Sequence, residues 1–322
     1  MNIIVTGSAG FIGYHLSKNL LNSNIHVYGV DNLNDYYDVE LKKKRISHLK
    51  KYQNFKFKVL DISEKKKLNN FIKKNKITII IHLAAQAGVR ASFINRDSYF
   101  NSNILGFYNI LEISKENNIK HLLFASTSSV YGNNSKLPSS ENDNTDHPLS
   151  FYSATKKCNE IMAYSYSNMF NLPITCMRFF TVYGPFGRPD MALYKFTKSI
   201  IEEENLFLHN YGKHNRDFSY IEDIVNYIKI LIKKPPKNKI PYNCFNLASG
   251  KKENLIKFLK IIEKELNKKG MIVKTKLNQG EAVNTQGNIT KVKKYTQLNP
   301  KTKIDQGIPE FINWFNDYYK IN

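Results

Sequence analysis

Apolar runs of strand length recur along the first half of the chain, separated by stretches of helical spacing. NIIVTG at the N-terminus, HVYGVD from His26, FKFKVLD from Phe55, ITIIIHLAA from Ile77, HLLFAST from His121 and LPITCMRF from Leu172 read as strands. Several are almost continuously apolar, the pattern of strands covered on both faces. FIGYHLSKNLLN, after the first of them, has the 3.6-residue period of an amphipathic helix. Alternating strand and helix predicts an α/β fold built on a doubly wound parallel sheet with right-handed crossovers. Beyond about residue 180 the alternation loosens, and Pro185, Pro189, Pro235, Pro236, Pro241, Pro300 and Pro309 punctuate it. Helices are predicted over 191–204, 220–233, 253–267 and 306–319. The expected organisation is a first domain over 1–180, rejoined by some later segments, and a smaller C-terminal α/β region over 181–322.

The formal net charge of +21 over 322 residues changes little in this picture. Lys contributes 42 of the 48 basic residues, Arg only 6, and Asn is present 39 times. That is drift towards Lys and Asn along the whole chain rather than a basic stripe interleaved with aromatics, so no nucleic-acid partner is expected. The runs Lys42-Lys43-Lys44 and Lys65-Lys66-Lys67 are expected to be solvated helix faces. No apolar run has the ~20 residues of a spanning helix, and no secretory leader precedes IIVTG, so neither membrane insertion nor export is expected. Cys158, Cys176 and Cys244 show neither a disulfide framework nor metal-ligand spacing, which fits a reducing cytoplasm; no metal is expected. With Arg so scarce, each one hints at a need for fork geometry. His82, in an apolar strand, reads as a satisfied core residue.

The first strand runs into TGSAGFIG, placing Gly7, Gly10 and Gly13 in a G-x-x-G-x-x-G loop that opens the first helix. Gly7 suits the tight turn, Gly10 close approach of a pyrophosphate, and Gly13 packing of helix on strand; free N–H groups at the helix start suit phosphate. Asp31, ending the second strand, accepts ribose hydroxyls and repels a 2′-phosphate, which favours NAD over NADP. Asp61, at the end of the third, is placed to meet adenine. Together these define a Rossmann-type dinucleotide site.

FYSATK puts Tyr152 and Lys156 four apart on one helix face. A nearby ammonium, or a nicotinamide cation, lowers the pKa of a phenol towards working range. ASTSSVYG, ending a strand 25 residues earlier, offers a hydroxyl where parallel sheets bind ligands.

With these motifs the sequence resembles the extended short-chain dehydrogenase/reductase family of nucleotide-sugar enzymes, over nearly its whole length. Five stretches carry the resemblance: DNLNDYYDVELKKKR, HLAAQAGVR, DHPLSFYSATKKCNE, RFFTVYGPFGRPDMALYKF and NYGKHNRDFSYIEDI. The first and fourth point to the 4-epimerases of UDP-glucuronate and their near relatives. The resemblance implies Thr127, Tyr152 and Lys156 as catalytic triad. It implies a cofactor set of Gly7, Gly10, Phe11, Ile12, Gly13, Asp31, Asn32, Asp61, Ile62, Leu83, Ala84 and Ala85, with Tyr152 and Lys156. NAD binding then falls to the first domain and nucleotide-sugar binding mainly to 181–322.

Within the family, dehydratases carry Thr-Asp-Glu at the strand-end motif and decarboxylases a Glu, whereas this chain has Thr127-Ser128-Ser129. With no acid there, epimerisation through a 4-keto sugar is expected. Ser128, Ser129 and Thr181 are candidates to hold a sugar carboxylate by hydroxyl donors; galactose epimerases of the family have Asn at the Thr181 position, which favours a uronate, UDP-glucuronate to UDP-galacturonate. Arg216 matches the pyrophosphate clamp. Arg188 is expected to reach the substrate or order its loop, and Arg90 to line the sugar pocket. Glu281, in QGE where relatives have Pro-Gly-Asp, is a candidate for uridine ribose. Tyr36 and Tyr37 either cover the cofactor cleft or pack. Arg178 is expected to pair structurally, and Arg45 and Arg96 to lie at a surface or interface. A homodimer through helices at 96–117 and 152–170 is implied. Competing expectations are a 4-epimerase of another UDP-hexose or UDP-N-acetylhexosamine, and a non-catalytic NAD-binding sensor or scaffold.

Overall fold

A computed structural model describes residues 1–133 and 136–321. The N-terminal half runs β1 (Asn2–Thr6), α1 (Phe11–Asn22), β2 (His26–Asp31), α2 (Val39–Leu49), β3 (Phe55–Val59), α3 (Lys65–Lys74) and β4 (Ile79–His82). It continues through α4 (Arg96–Tyr99), a π-helical stretch Phe100–Leu105, α5 (Gly106–Glu116), β5 (His121–Thr127), α6 (Phe151–Phe170) and β6 (Ile174–Phe179). There follow β7 (Thr181–Tyr183), α7 (Ala192–Ile201), β8 (Asn205–Leu208), β9 (Asn215–Arg216), β10 (Phe218–Tyr220), α8 (Ile221–Ile232) and β11 (Tyr242–Leu247). The chain ends with β12 (Glu253–Asn254), α9 (Leu255–Glu265), β13 (Met271–Lys274), α10 (Thr290–Thr296) and α11 (Ile304–Tyr319).

Seven parallel strands form the central sheet in the order β11-β6-β5-β4-β1-β2-β3. The six strands anticipated from the apolar runs are all in it. The seventh, β11, comes from the C-terminal half and pairs in register with β6, Cys244 opposite Cys176. Ile3 and Val5 pack on one face of the sheet and Ile4 and Ile80 on the other, each fully buried, so both faces are covered by helices. The order reverses between β1 and β4. A crevice outside the carboxyl ends of those strands is where such sheets receive ligands. Three small sheets, β7 with β10, β9 with β12 and β8 with β13, build the region over that crevice. Among the described residues, no helix is long and apolar enough to cross a membrane.

Two expectations about charge are overturned. Arg45 is fully buried rather than at a surface: it donates to the carbonyls of Ala9 (2.8 Å), Phe186 (2.6 Å) and Gly187 (3.2 Å) and to the Tyr37 hydroxyl (2.8 Å). Lys42 is also buried, while Lys43 and Lys44 are exposed as anticipated. The physical reason is register. Leu41, Lys42, Arg45, Ile46 and Leu49 are the buried positions of α2, so two of its basic residues fall on the face turned to the core. Arg96 is exposed, as expected.

Candidate active site

A cleft of about 1210 Å³ lies across the carboxyl ends of the sheet strands, and every candidate site residue named from the sequence lines it. At its floor the chain leaves β1 and turns at Gly7, whose φ of 72° is the left-handed region that favours glycine. A Cβ at Gly7 would come within 2.7 Å of the Ala84 nitrogen, and one at Gly13 would collide with the Gly7 carbonyl oxygen. α1 therefore begins tight against the strand ends. Gly10 is its N-cap and supplies no side-chain cap, so the first-turn N–H groups face the cleft without a capping side chain. This bare, positive helix end is the fit expected for a dinucleotide pyrophosphate. Phe11 and Ile12 follow it, and Leu83, Ala84 and Ala85 flank it from the end of β4.

Asp31 closes β2. Its carboxylate accepts from the N–H groups of Ala9 (3.0 Å) and Leu33 (2.9 Å), which aims it across the glycine loop. Burial pushes its pKa up, and those two N–H groups with Lys42 and Arg45 oppose the shift. Asp61, just past β3, accepts from the Asn32 amide at 2.7 Å, and Ser63 caps its other oxygen. Ile62 follows in the wall.

Tyr152 and Lys156 lie in the first turns of α6, which is capped by Ser150 accepting from the Ser153 N–H at 3.2 Å. Thr127 ends β5 beside them, and its hydroxyl bonds Ser129. Burial pushes the Tyr152 phenol above its ordinary value; the Arg188 charge and a hydrogen bond with Thr127 pull it back. Arg188 is a cation that acts on this phenol in addition to the Lys156 expected from the sequence. Lys156 Nζ donates to the Ala125 carbonyl at 3.0 Å. Burial drives its own pKa down to about 8.

Arg188 pairs bidentately with Asp190 at 3.0 and 2.5 Å, and the Tyr36 hydroxyl donates to the same Asp190 at 3.4 Å. Tyr36 thus spans from the segment after β2 to the loop after β7, its hydroxyl against Gly88. Tyr37 lines the cleft as well. Arg90 donates to Glu281 at 2.6 Å. Arg216 donates to the Val283 carbonyl at 2.8 Å, in the same corner. His82 accepts or donates at 2.9 Å with Thr6 inside the core. Burial holds its pKa down at about 3, so it is neutral.

Sequence reasoning missed Lys42, which lines the cleft beside Asp31. It also missed Tyr99, whose hydroxyl pins the loop carbonyls of Ala87 (2.9 Å) and Gly88 (2.5 Å) and whose ring stands edge-on to Tyr152. The buried register of α2 was the available signal for Lys42. Cysteine spacing also concealed a meeting: Cys176, Cys244 and Glu160 bring ligand atoms within 4.8 Å of one another. Glu160 there is committed to Arg178, and burial pushes the Cys176 thiol well up.

A glycine-cornered helix start, a strand-end carboxylate and a Thr-Tyr-Lys cluster in one cleft define a dinucleotide-dependent enzyme site of the Rossmann type. The NAD dependent epimerase/dehydratase family model matches residues 3–248, and the chain belongs to that family. It is 43% identical to "Protein CapI" of Staphylococcus aureus over 99% of this chain and all of that one. It is 41% identical to a UDP-glucuronate 4-epimerase of Thermodesulfobacterium geofontis, covering 97% of this chain and 95% of that one. Among solved structures, UDP-glucuronic acid 4-epimerase from Bacillus cereus, in complex with UDP-glucuronic acid and NAD, superposes with a TM-score of 0.93. It is 32% identical, over 99% of this chain and 100% of that one.

Proposed function

We propose that this protein is an NAD-dependent 4-epimerase that interconverts UDP-glucuronate and UDP-galacturonate through a 4-keto intermediate. The observation that carries the reading is the convergence of Thr127, Tyr152 and Lys156 with the glycine loop and Asp31 in one cleft. The likeness to the Bacillus cereus enzyme, whose complex holds UDP-glucuronic acid and NAD, supports it. So do relatives named UDP-glucuronate 4-epimerase.

In this reading residues 1–180 with β11 hold NAD, and 181–322 supply most of the nucleotide-sugar contacts. Gly7, Gly10 and Gly13 cradle the pyrophosphate against α1, and Asp31 takes the ribose hydroxyls. NAD supplies a reversible hydride acceptor at C4 of the sugar. Tyr152 takes the C4 hydroxyl proton, with Thr127 bonded to its phenol and the positive charges of Arg188 and Lys156 favouring the phenolate. The planar 4-keto sugar turns within the cleft and presents its other face, and Tyr152 returns the proton. Ser128, Ser129 and Thr181 grip the carboxylate, which a 4-keto uronate loses as carbon dioxide when it stands perpendicular to the ketone. Arg216 clamps the diphosphate, Arg90 lines the sugar pocket, and Glu281, to which Arg90 donates, takes the uridine ribose.

We infer a homodimer as well, through α6 and the helical segment from Arg96 to Glu116. Phe100, Tyr108, Ile161, Tyr164 and Met169 on these helices expose apolar side chains that such a contact would cover. The free thiols Cys158, Cys176 and Cys244 fit a reducing cytoplasm.

The test is product analysis after incubation with UDP-glucuronate and no added NAD, beside UDP-glucose and a UDP-N-acetylhexosamine. UDP-galacturonate without net NADH supports the reading. Preference for either other sugar replaces the substrate, and turnover of none of them makes the protein a non-catalytic NAD binder.

A further inference from the structure

Lys42 is a buried cation whose partners do not account for it. The residue is only 4% exposed. Its ammonium donates to the backbone oxygen and the side-chain oxygen of Asn34, at 2.5 and 2.6 Å, and stands 4.4 Å from the centroid of the Tyr37 ring. All these partners are neutral. Two hydrogen bonds leave one of the three ammonium donors unused. No ion pair among the described residues includes Lys42; Asp31 and Asp35 act on it through longer-range electrostatics. A charge withdrawn from water without a contact partner is costly, and such groups are usually paired or replaced. This one faces the cleft, on the wall that also holds Asp31. Asp31 for its part accepts from the Ala9 and Leu33 N–H groups, and both charged side chains line the same cleft.

We propose that Lys42 is the cationic half of the adenosine-ribose subsite. Its free donor meets a ribose hydroxyl that Asp31 grips from the other side, and where residue 31 is uncharged the same ammonium receives a 2′-phosphate. The inference rests on the dinucleotide reading of the cleft and extends it. Cofactor choice then belongs to a pair of opposite charges. Asp31 excludes the 2′-phosphate, and Lys42 is the latent receptor that Asp31 overrides.

The experiment is calorimetric titration of NAD and NADP into the purified full chain freed of nucleotide, with melting followed in parallel. The proteins are wild type, Lys42→Met, Asp31→Asn and the double variant. Lys42→Met should weaken NAD about ten-fold or more, the loss of one charge-assisted hydrogen bond. Asp31→Asn should bind NADP where wild type does not. Adding Lys42→Met to it should cost NADP more than NAD. That inequality separates a lost phosphate contact from a merely loosened loop, which would weaken both dinucleotides alike. Lys42→Arg, which keeps the charge, should retain NADP binding in the Asp31→Asn background.

Unchanged NAD affinity in Lys42→Met overturns the proposal. So does equal loss of the two dinucleotides in the double variant, or absence of NADP binding in both Asp31→Asn and Asp31→Ala. If Asp31→Asn does not fold, Asp31→Ala takes its place, and the Lys42→Met arm stands on the wild-type background alone. Turnover of UDP-glucuronate is measured separately. A wild type that binds NAD but epimerises nothing refutes the epimerase reading and leaves this one intact.

Discussion

The Arg178 guanidinium on β6 grips the Glu160 carboxylate on α6 at 2.9 and 2.7 Å, four residues along the helix from Lys156. Glu160 also accepts from the Ser126 hydroxyl on β5 at 2.5 Å, so one buried carboxylate bolts the helix bearing Tyr152 and Lys156 to two strands. Removing one partner of a buried pair strands the other charge, at about 3–5 kcal/mol. Glu160→Gln should therefore lower the unfolding free energy by about that amount in urea titrations. Glu160→Gln with Arg178→Met should recover most of it. A single variant within about 0.5 kcal/mol of wild type, the ordinary range of surface changes, would show that the pair does not anchor α6.

Lys156 gives stability a pH signature. Burial depresses its pKa to about 8 in the folded protein, against ~10.4 in an unfolded chain. Between these values the unfolded chain holds a proton that the folded protein has released. Unfolding free energy therefore rises with pH across the window, by ~1.36 kcal/mol per unit for this group. Lys156→Met should abolish that component. Between roughly pH 7 and pH 9.5, nucleotide-free wild type should gain about 2 kcal/mol relative to the variant. A stability difference independent of pH would show that Lys156 is not depressed.

Tyr152→Phe keeps the ring packed beside Tyr99 and removes the proton acceptor. Loss of a positioned base should cost kcat about 100-fold or more, while bound NAD and substrate affinity stay within a few-fold. Near-normal turnover would remove Tyr152 from the mechanism.

The carboxylate grip predicts a change of product. Ser128→Ala, Ser129→Ala and Thr181→Val each delete one hydroxyl donor, worth roughly 1.5–3 kcal/mol on a charged acceptor. Each should slow epimerisation of UDP-glucuronate and release carbon dioxide with a UDP-4-keto-pentose, detected by mass spectrometry. UDP-glucose, which has no carboxylate to lose, is the control. Unchanged rates and products in all three would assign the grip elsewhere in the cleft.

The sheet was legible because buried parallel strands are continuous apolar runs, and Gly7, Gly10 and Gly13 were legible because backbone sterics admit little else. Glu281 and Arg90 were both singled out, yet their 2.6 Å contact joins positions 191 residues apart. No local pattern encodes such a contact. Arg45 and Lys42 were misjudged because charge was weighed as composition. Their positions on the α2 period, beside Leu41, Ile46 and Leu49, were the better guide. β11 escaped the strand count for a related reason. YNCFNL interleaves polar residues that its neighbours satisfy: Asn246, fully buried, donates to the Ser139 carbonyl at 2.9 Å and accepts from Tyr131 at 2.6 Å.

That late strand bears on how the protein is made. β6 ends at Phe179, and the strand covering its open edge ends only at Leu247, 247 − 179 = 68 residues further on. At ~5–20 residues per second on the ribosome, β6 waits several seconds with its N–H and C=O row unpaired. An uncovered strand edge invites pairing with other chains. A nascent chain cut after about residue 180 is thus left with a sticky border in place of a finished sheet. Chaperone engagement during synthesis should be concentrated between the emergence of β6 and the emergence of β11.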